Sequence, residues 1–462
     1  MRDDPVGQAG LGALGQLGLL VGPLLSMIDS SVVNVAVSDI GRDLHAGLRS
    51  VSWVVSGYLL ALAGGLAATS YLAKRFGTLR IYRLSLIGFL VASAACALAP
   101  TIGILILARC AQGLFGAPLV PLAMNMLLGR GNGDRQLPAA AAMLFFLAPA
   151  LGPSLGGGLI ATGGWRLIFL INVPIGLLGL AGMRRICPAT VLAPEARPRL
   201  DPVGLILLAG GMVCALYAAT QGSELGSASV GTILPLTAGL ALLLGYVGWE
   251  RYHDQPAVGL ALLRHPQSRV ALGLAVLSAV VTFATIFLLP VFAQSVQRHS
   301  ALATGLALLP QGVLTGLGTA LGQHLHNRVA TRTMVVAGFL VLTVSSACLL
   351  LLTAQTPLWL TALILSGRGL AIGLVISPLL SAMLQPLTDA QLADANTLFN
   401  IVQRLGGSIG VGLIGSLLAS RAMIAGGLRA FHEVAVVLAG LAALAAVLSL
   451  KLAPTRQPAS RS

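Results

Sequence analysis

The chain of 462 residues is 56% hydrophobic and only 9% charged, with a mean hydropathy of +0.91. No soluble fold of this length hides so much apolar surface in one core, so a polytopic membrane protein is expected. The net charge of +14 does not point to nucleic acid, because the basic residues sit in short segments between apolar runs rather than in a basic domain.

A membrane span needs about 20 apolar residues. Fourteen runs qualify, near 11–37, 50–73, 80–99, 101–127, 136–161, 166–184, 201–221, 230–249, 270–296, 302–325, 332–353, 357–385, 396–420 and 432–452. Residues 1–10 are polar and the first run is long enough to span, so no cleavable signal peptide is expected. With the N-terminus inside, nineteen Lys and Arg residues fall on inner segments and six on outer ones (Arg42, Arg49, Arg166, Arg298, Arg421 and Arg429). That bias predicts cytoplasmic termini in the cell membrane. The longest inner connections, 185–200 and 250–269, bracket one pair of spans. The chain is therefore expected to form a six-helix bundle at 1–184, a cytoplasmic linker at 185–200, and an inserted hairpin at 201–249. A second linker at 250–269 and a second six-helix bundle with a short tail at 270–462 complete it. Gly116 to Pro121 in span 4 is echoed by Gly373 to Pro378 in span 12, as related halves of a transporter would be.

In chain order, span 1 holds Asp29, a carboxylate deep in an apolar run. Such a charge costs roughly 2.5–3.5 kcal/mol to insert and needs a partner, water or a proton. After span 2 comes Ser70-Tyr71-Leu72-Ala73-Lys74-Arg75-Phe76-Gly77-Thr78. Span 4 holds Leu107-Ala108-Arg109-Cys110-Ala111-Gln112-Gly113. Spans 1 and 4 run in opposite directions, and Asp29 and Arg109 each lie about five residues, roughly 7 Å, outward of the middle. They share a depth and are expected to pair. A static pair that only orders helices and a pair that opens and closes with a proton are both open at this point. Span 5 carries Pro149, Pro153 and the glycines Gly152, Gly156, Gly157 and Gly158; Ala148, Gly152 and Gly156 make a bare face for close helix contact. Span 6 opens Trp165-Arg166-Leu167-Ile168-Phe169-Leu170-Ile171-Asn172-Val173-Pro174.

These stretches carry a resemblance. Span 5 is similar to the antiporter signature of the major facilitator superfamily, and Arg109 to Gly113 resembles its Arg-x-x-Gln-Gly motif. Asp29 to Val37, which includes Asn34, and the opening of span 6 resemble the corresponding segments of its 14-spanning drug:proton antiporters. The resemblance implies an all-α major facilitator fold of two six-helix bundles plus an inserted hairpin, rocking around a midplane cavity with the hairpin peripheral. The loop after span 2 departs from the family pattern Gly-x-Leu-Ala-Asp-Arg-x-Gly-Arg: Arg75 and Gly77 are kept, but Lys74 replaces an aspartate. In the family that aspartate latches the outward-facing state at a helix N-terminus, and a lysine there is expected to reverse the interaction. By the same logic Lys74→Asp is expected to restore the latch.

Arg368, mid-span 12, has no acidic partner in its half; helix-end carbonyls, cavity water and an anionic part of a substrate are its alternatives. Arg404 in span 13 is expected to snorkel at the cytoplasmic face. Gln112, Asn34, Gln294, Gln311 and Asn400 are candidates for the cavity lining, each also explicable as a helix–helix hydrogen bond. The five cysteines are scattered, the histidines lie in loops or at span ends, and no Gly-Lys-Ser or Gly-Lys-Thr loop occurs. No metal, no cofactor, no ATP and no enzymatic constellation are expected. The expected activity is proton-coupled efflux of amphipathic or cationic small molecules such as drugs or antibiotics, by a monomer in the lipid bilayer, with Asp29 and Arg109 as the coupling pair. Export of a dedicated metabolite or lipid, an anionic one included, and a non-transporting sensor or scaffold, are the alternatives.

Overall fold

In the computed structural model, residues 13–46, 48–128, 152, 155–184, 200–225, 229–253, 256–326, 328–388 and 391–453 are described. They form α1 (Ala13–Asp43), α2 (Leu48–Phe76), α3 (Thr78–Ala97), α4 (Ile102–Gly116), α5 (Leu119–Leu128), α6 (Arg166–Leu170) and α7 (Asn172–Met183). There follow α8 (Pro202–Leu225), α9 (Val230–Glu250), α10 (Pro266–Ser295), α11 (Ala301–His326) and α12 (Thr331–Cys348). The last three are α13 (Leu358–Leu384), α14 (Leu392–Ala425) and α15 (Gly427–Ser449). Thirteen segments among the described residues are long and apolar enough to cross a membrane. The fourteenth expected span, 136–161, lies mostly outside the described residues, of which 155–163 are helical.

The helices depart from the apolar runs where chemistry other than hydropathy decides. Span 4 breaks into α4 and α5 at Ala117-Pro118 and span 6 into α6 and α7 at Ile171. Pro118 and Pro174 have no N–H for the carbonyl one turn back. At its far end α1 runs on to Asp43, held past the apolar run by an Asp39–Arg42 pair three residues apart. Gly77, at φ 89°, turns the chain between α2 and α3 in a conformation that a side chain resists.

Glycine sets two close crossings among the described residues. A side chain at Gly113 of α4 would fall on the Tyr58 carbonyl of α2, and one at Gly369 of α13 on the Gln311 carbonyl of α11. Backbones thus touch where lipid offers no hydrophobic drive for association.

The buried apolar residues form one core on the side of the protein where α1 begins and α15 ends, called here the terminal face. Leu19, Tyr82 and Met126 of the first half belong to it, together with Leu272, Leu384 and Phe399 of the second. Toward the opposite face there are two separate cores, one around Val33, Val54, Leu105 and Phe169, the other around Leu288, Leu365, Phe431 and Leu438. Among the described residues, the core shared by both halves lies at the terminal face, and beyond it each half has its own. The hairpin α8–α9 is less peripheral than expected: α8 packs on α2 and on α14, one helix from each half. Trp53 and Tyr217 stack at 6.2 Å, and a side chain at Gly412 would meet the Ala219 carbonyl at 3.0 Å.

Candidate functional site

Asp29 of α1 and Arg109 of α4 form a direct ion pair, Nη1 to Oδ2, with both side chains fully buried. Gln112, one turn along α4, bridges the pair: its Oε1 accepts from Arg109 Nη1 at 2.8 Å and its Nε2 donates to Asp29 Oδ1 at 3.0 Å. Asn172, the first residue of α7, donates to the same Oδ1 at 3.2 Å. Both Gln112 and Asn172 also donate to Ser93 Oγ of α3, at 3.2 and 3.0 Å, and Ser93 in turn donates to the Phe169 carbonyl at 2.8 Å. Both carboxylate oxygens are therefore satisfied by donors from α4 and α7, as a buried charge requires.

The guanidinium is held on its other side by α2. Its Nε donates to the Val54 carbonyl at 3.0 Å, and its carbon sits 4.0 Å from the Tyr58 ring centre, a cation–π distance. Tyr58 is fixed by Ser26, donating to its carbonyl at 3.1 Å. Arg109 Nη2 has no partner among the described residues. The close crossing at Gly113, four residues on, brings α4 near enough to α2 for the Val54 contact.

Sequence reasoning missed Asn172, Ser93 and Tyr58. Asn172 had a signal, a polar residue in an apolar segment at a proline break. Ser93 and Tyr58 had none, because small hydroxyls and tyrosines are common in spans and only the fold brings them to this point.

The small-residue face of span 5 meets α1 just beyond Asp29. A side chain at Gly152 would collide with Ser31, and one at Gly156 would stand 3.2 Å from the Val32 carbonyl, while Gly157 has open space around it. Pro153 lies outside the described residues.

Of the other candidates, Gln311, Gln294, Asn400 and Arg368 do not join the pair. Asn34 lies on α1, its side chain outside the described residues. Gln311 is buried at the α11–α13 crossing, and Gln294 is exposed near the end of α10. Asn400 of α14 is buried against α5, its Nδ2 3.7 Å from Met124 Sδ and 2.8 Å from the Asn396 carbonyl. Arg368 is completely buried and donates to Ser346 Oγ (2.6 Å), Thr285 Oγ1 (2.7 Å) and the Val281 carbonyl (3.3 Å). Hydroxyls and a carbonyl hold it.

Two expectations need correction. Arg404 is not at the end of its helix. It lies ten residues past Asp394, about 15 Å along α14 at 1.5 Å per residue, half-buried and within electrostatic reach of Tyr58. The charge of Lys74 is not left facing a bare helix N-terminus either. Its Nζ lies 2.6 Å from Asp394 Oδ2, and Ser70 donates to Oδ1 of the same carboxylate. Asp394 stands in the first turn of α14, where it neutralises the lysine and suits the positive end of the helix. The sequence order hid this, because the partners are 320 residues apart.

At the face opposite the termini, Asp43 accepts from Arg166 and, at 3.0 Å, from Trp165 Nε1. Arg166 first, then Trp165, hold its carboxyl below the ordinary range.

Residues 19–411 match the family model described as Major Facilitator Superfamily. The chain is 30% identical over 418 residues to a Mycobacterium tuberculosis protein named multidrug resistance protein B homolog, covering 88% of this chain and 76% of that one. It is 30% identical over 444 residues to the tetracenomycin C resistance and export protein of Streptomyces glaucescens, covering 91% and 80%. It is 29% identical over 408 residues to the fatty acid resistance protein FarB of Neisseria gonorrhoeae, covering 87% and 79%.

Proposed function

Because the chain belongs to the Major Facilitator Superfamily, we propose that it is a proton-coupled exporter of amphipathic or cationic small molecules, drugs or antibiotics among them. Relatives named for multidrug resistance and for tetracenomycin export support efflux in general, and the observation that carries the proton is the buried Asp29–Arg109 pair with its donors. The bundles are residues 1–184 and 270–462, joined by the 185–200 and 250–269 linkers around the 201–249 hairpin. The excess of basic residues makes the terminal face cytoplasmic, so the form described above is closed to the cytoplasm.

Coupling follows from the charges. With Asp29 ionised, the pair ties α1 to α4, and α7 to both through Asn172. A proton arriving from outside cancels the attraction. Arg109 is not stranded when it does, because Gln112 Oε1, the Val54 carbonyl and the Tyr58 ring still hold it. The helices of the first bundle are then free to shift as the halves rock, and the proton leaves on the cytoplasmic side. Each proton entering supplies about 2.3 kcal/mol per 100 mV, plus the pH term.

The test is Asp29→Asn in proteoliposomes, with equal insertion confirmed. Uphill efflux under an imposed pH gradient is expected to vanish while downhill exchange persists. Uphill pumping at the wild-type rate would make Asp29 structural.

A second reading, export of an anionic amphiphile, is favoured by one observation. Arg368 and Arg404 have no carboxylate partner among the described residues, and one relative is named for fatty acid resistance. Competition between anionic and cationic amphiphiles for efflux separates the two readings.

A further inference from the structure

We infer that Ser70, Lys74 and Asp394 form a charged clasp that holds the two halves together at the terminal face and must part each time that face opens. The inference rests on the rocking-bundle reading above and adds to it a named pair of residues that sets the balance between the two forms.

Three observations meet at one carboxylate. Lys74 and Ser70, one turn apart near the end of α2, both bond to Asp394, taking one oxygen each. Asp394 opens α14, so the contact joins the first half to the second. The chain returning from the hairpin closes the third side: a side chain at Gly259 would lie 2.8 Å from Asp394 Oδ2, so the backbone there comes up against the carboxylate. The cluster sits beside the shared core, with Asp394 8% exposed and the lysine side chain 23% exposed. A pair so placed is partly shielded from solvent, so removing one partner leaves a poorly solvated charge and costs more than breaking a free surface pair.

The geometry also explains two residues together. Serine stands where the related loop has glycine, and lysine where it has aspartate, and both departures touch the same acid. An aspartate at position 74 would face Asp394 across the contact and repel it. Lys74→Asp is therefore expected to loosen the closed face, the opposite of what the sequence suggested.

Opening can be read without substrate or proton gradient. Met124 of α5 is buried against Asn400 of α14. A single cysteine there, in a chain with Cys96, Cys110, Cys187, Cys214 and Cys348 replaced by serine, reports the seam by its rate of maleimide labelling in membranes. Lys74→Asp and Asp394→Lys are each expected to speed labelling about fivefold or more, and the double exchange Lys74→Asp with Asp394→Lys to bring it back near the starting rate. Lys74→Gln and Ser70→Ala, which add no repulsion and disturb folding least, are expected to speed it about threefold and twofold. Unchanged labelling in Lys74→Gln and Ser70→Ala, or a double exchange as fast as the single variants, would overturn the clasp. Neither result bears on proton coupling, which Asp29→Asn tests on its own, and loss of coupling in that variant leaves the labelling result standing.

Discussion

Arg368 holds in the second half the place that Arg109 holds in the first, but it faces Thr285 where Arg109 faces Asp29. Each arginine lies on a helix that makes a glycine crossing, α4 on α2 and α13 on α11. Each reaches the first long helix of its half, at Asp29 of α1 and Thr285 of α10, and each cluster includes a serine of the third, Ser93 of α3 and Ser346 of α12. The halves share a polar centre, and one of the two lacks the acid. Among the described residues, the first half alone sets a carboxylate against its arginine.

Thr285→Asp tests that correspondence. A carboxylate at 285 would stand beside Arg368 Nη2 and is expected to leave thermal stability in detergent near that of the parent. In an Arg368→Met background the same carboxylate is buried without a cation, and the loss is expected to be about 3–5 kcal/mol. The measurement is a double-mutant cycle of unfolding midpoints; additive effects would show that Thr285 does not occupy the counterpart of Asp29.

Gly152→Leu should abolish transport with protein still inserted. Its side chain would be driven into Ser31, two residues beyond Asp29, with the Ser31 carbonyl carbon only 3.1 Å from the new Cβ. Overpacking of this kind costs about 1–3 kcal/mol, and here it displaces the helix that carries Asp29. Gly157→Ala, on the open side of the same segment, is expected to transport normally. Equal activity of the two variants in a vesicle efflux assay would count against a functional contact between span 5 and α1.

The contact between Asp43 and Arg166 should be acid-labile. Because the folded-state pKa of Asp43 is lowered, the contact contributes fully above the unfolded-state value, about 3.9. It is lost as pH falls through the lower, folded-state value. Hydrogen exchange around Trp165 is therefore expected to rise below about pH 4. In Arg166→Gln the largest cause of the lowering is gone, so the change should begin at a higher pH. Identical pH profiles in the two proteins would rule the contact out as its source.

The thirteen spans among the described residues and the Asp29–Arg109 pairing were legible because long apolar runs are distinctive, intramembrane charge is rare and depth follows from residue count. Apolar runs alone could not show where helices break or overrun, since Pro118, Pro174 and the Asp39–Arg42 pair act through backbone hydrogen bonds and local charge. Nor could they show what completes the site. Ser93 and Asn172 reach Asp29 only after α3 and α7 have packed, and Asp394 reaches Lys74 only when the two halves meet. Arg404 was misplaced for a related reason: a position judged from the end of an apolar run misses the four extra residues, from Leu392, by which α14 begins earlier.

Arg404 supplies the last expectation. It is half-buried, well inside α14, within electrostatic reach of Tyr58, with no carboxylate partner among the described residues. A cation in that position repels the positive end of a substrate and attracts a negative one, and a hydrogen bond to a charged group is worth about 1.5–3 kcal/mol. If transported molecules pass this point, Arg404→Gln should reduce efflux of anionic amphiphiles about tenfold or more, at about 1.4 kcal/mol per factor of ten. Efflux of cationic amphiphiles should hold or rise. The assay is paired efflux of one anionic and one cationic fluorescent amphiphile of matched hydrophobicity from the same vesicles, so that a general loss of activity cancels in the ratio. An unchanged ratio would remove Arg404 from the substrate path and with it the main support for an anionic cargo. A ratio shifted toward the cation would make the charge at position 404 a determinant of what the protein exports.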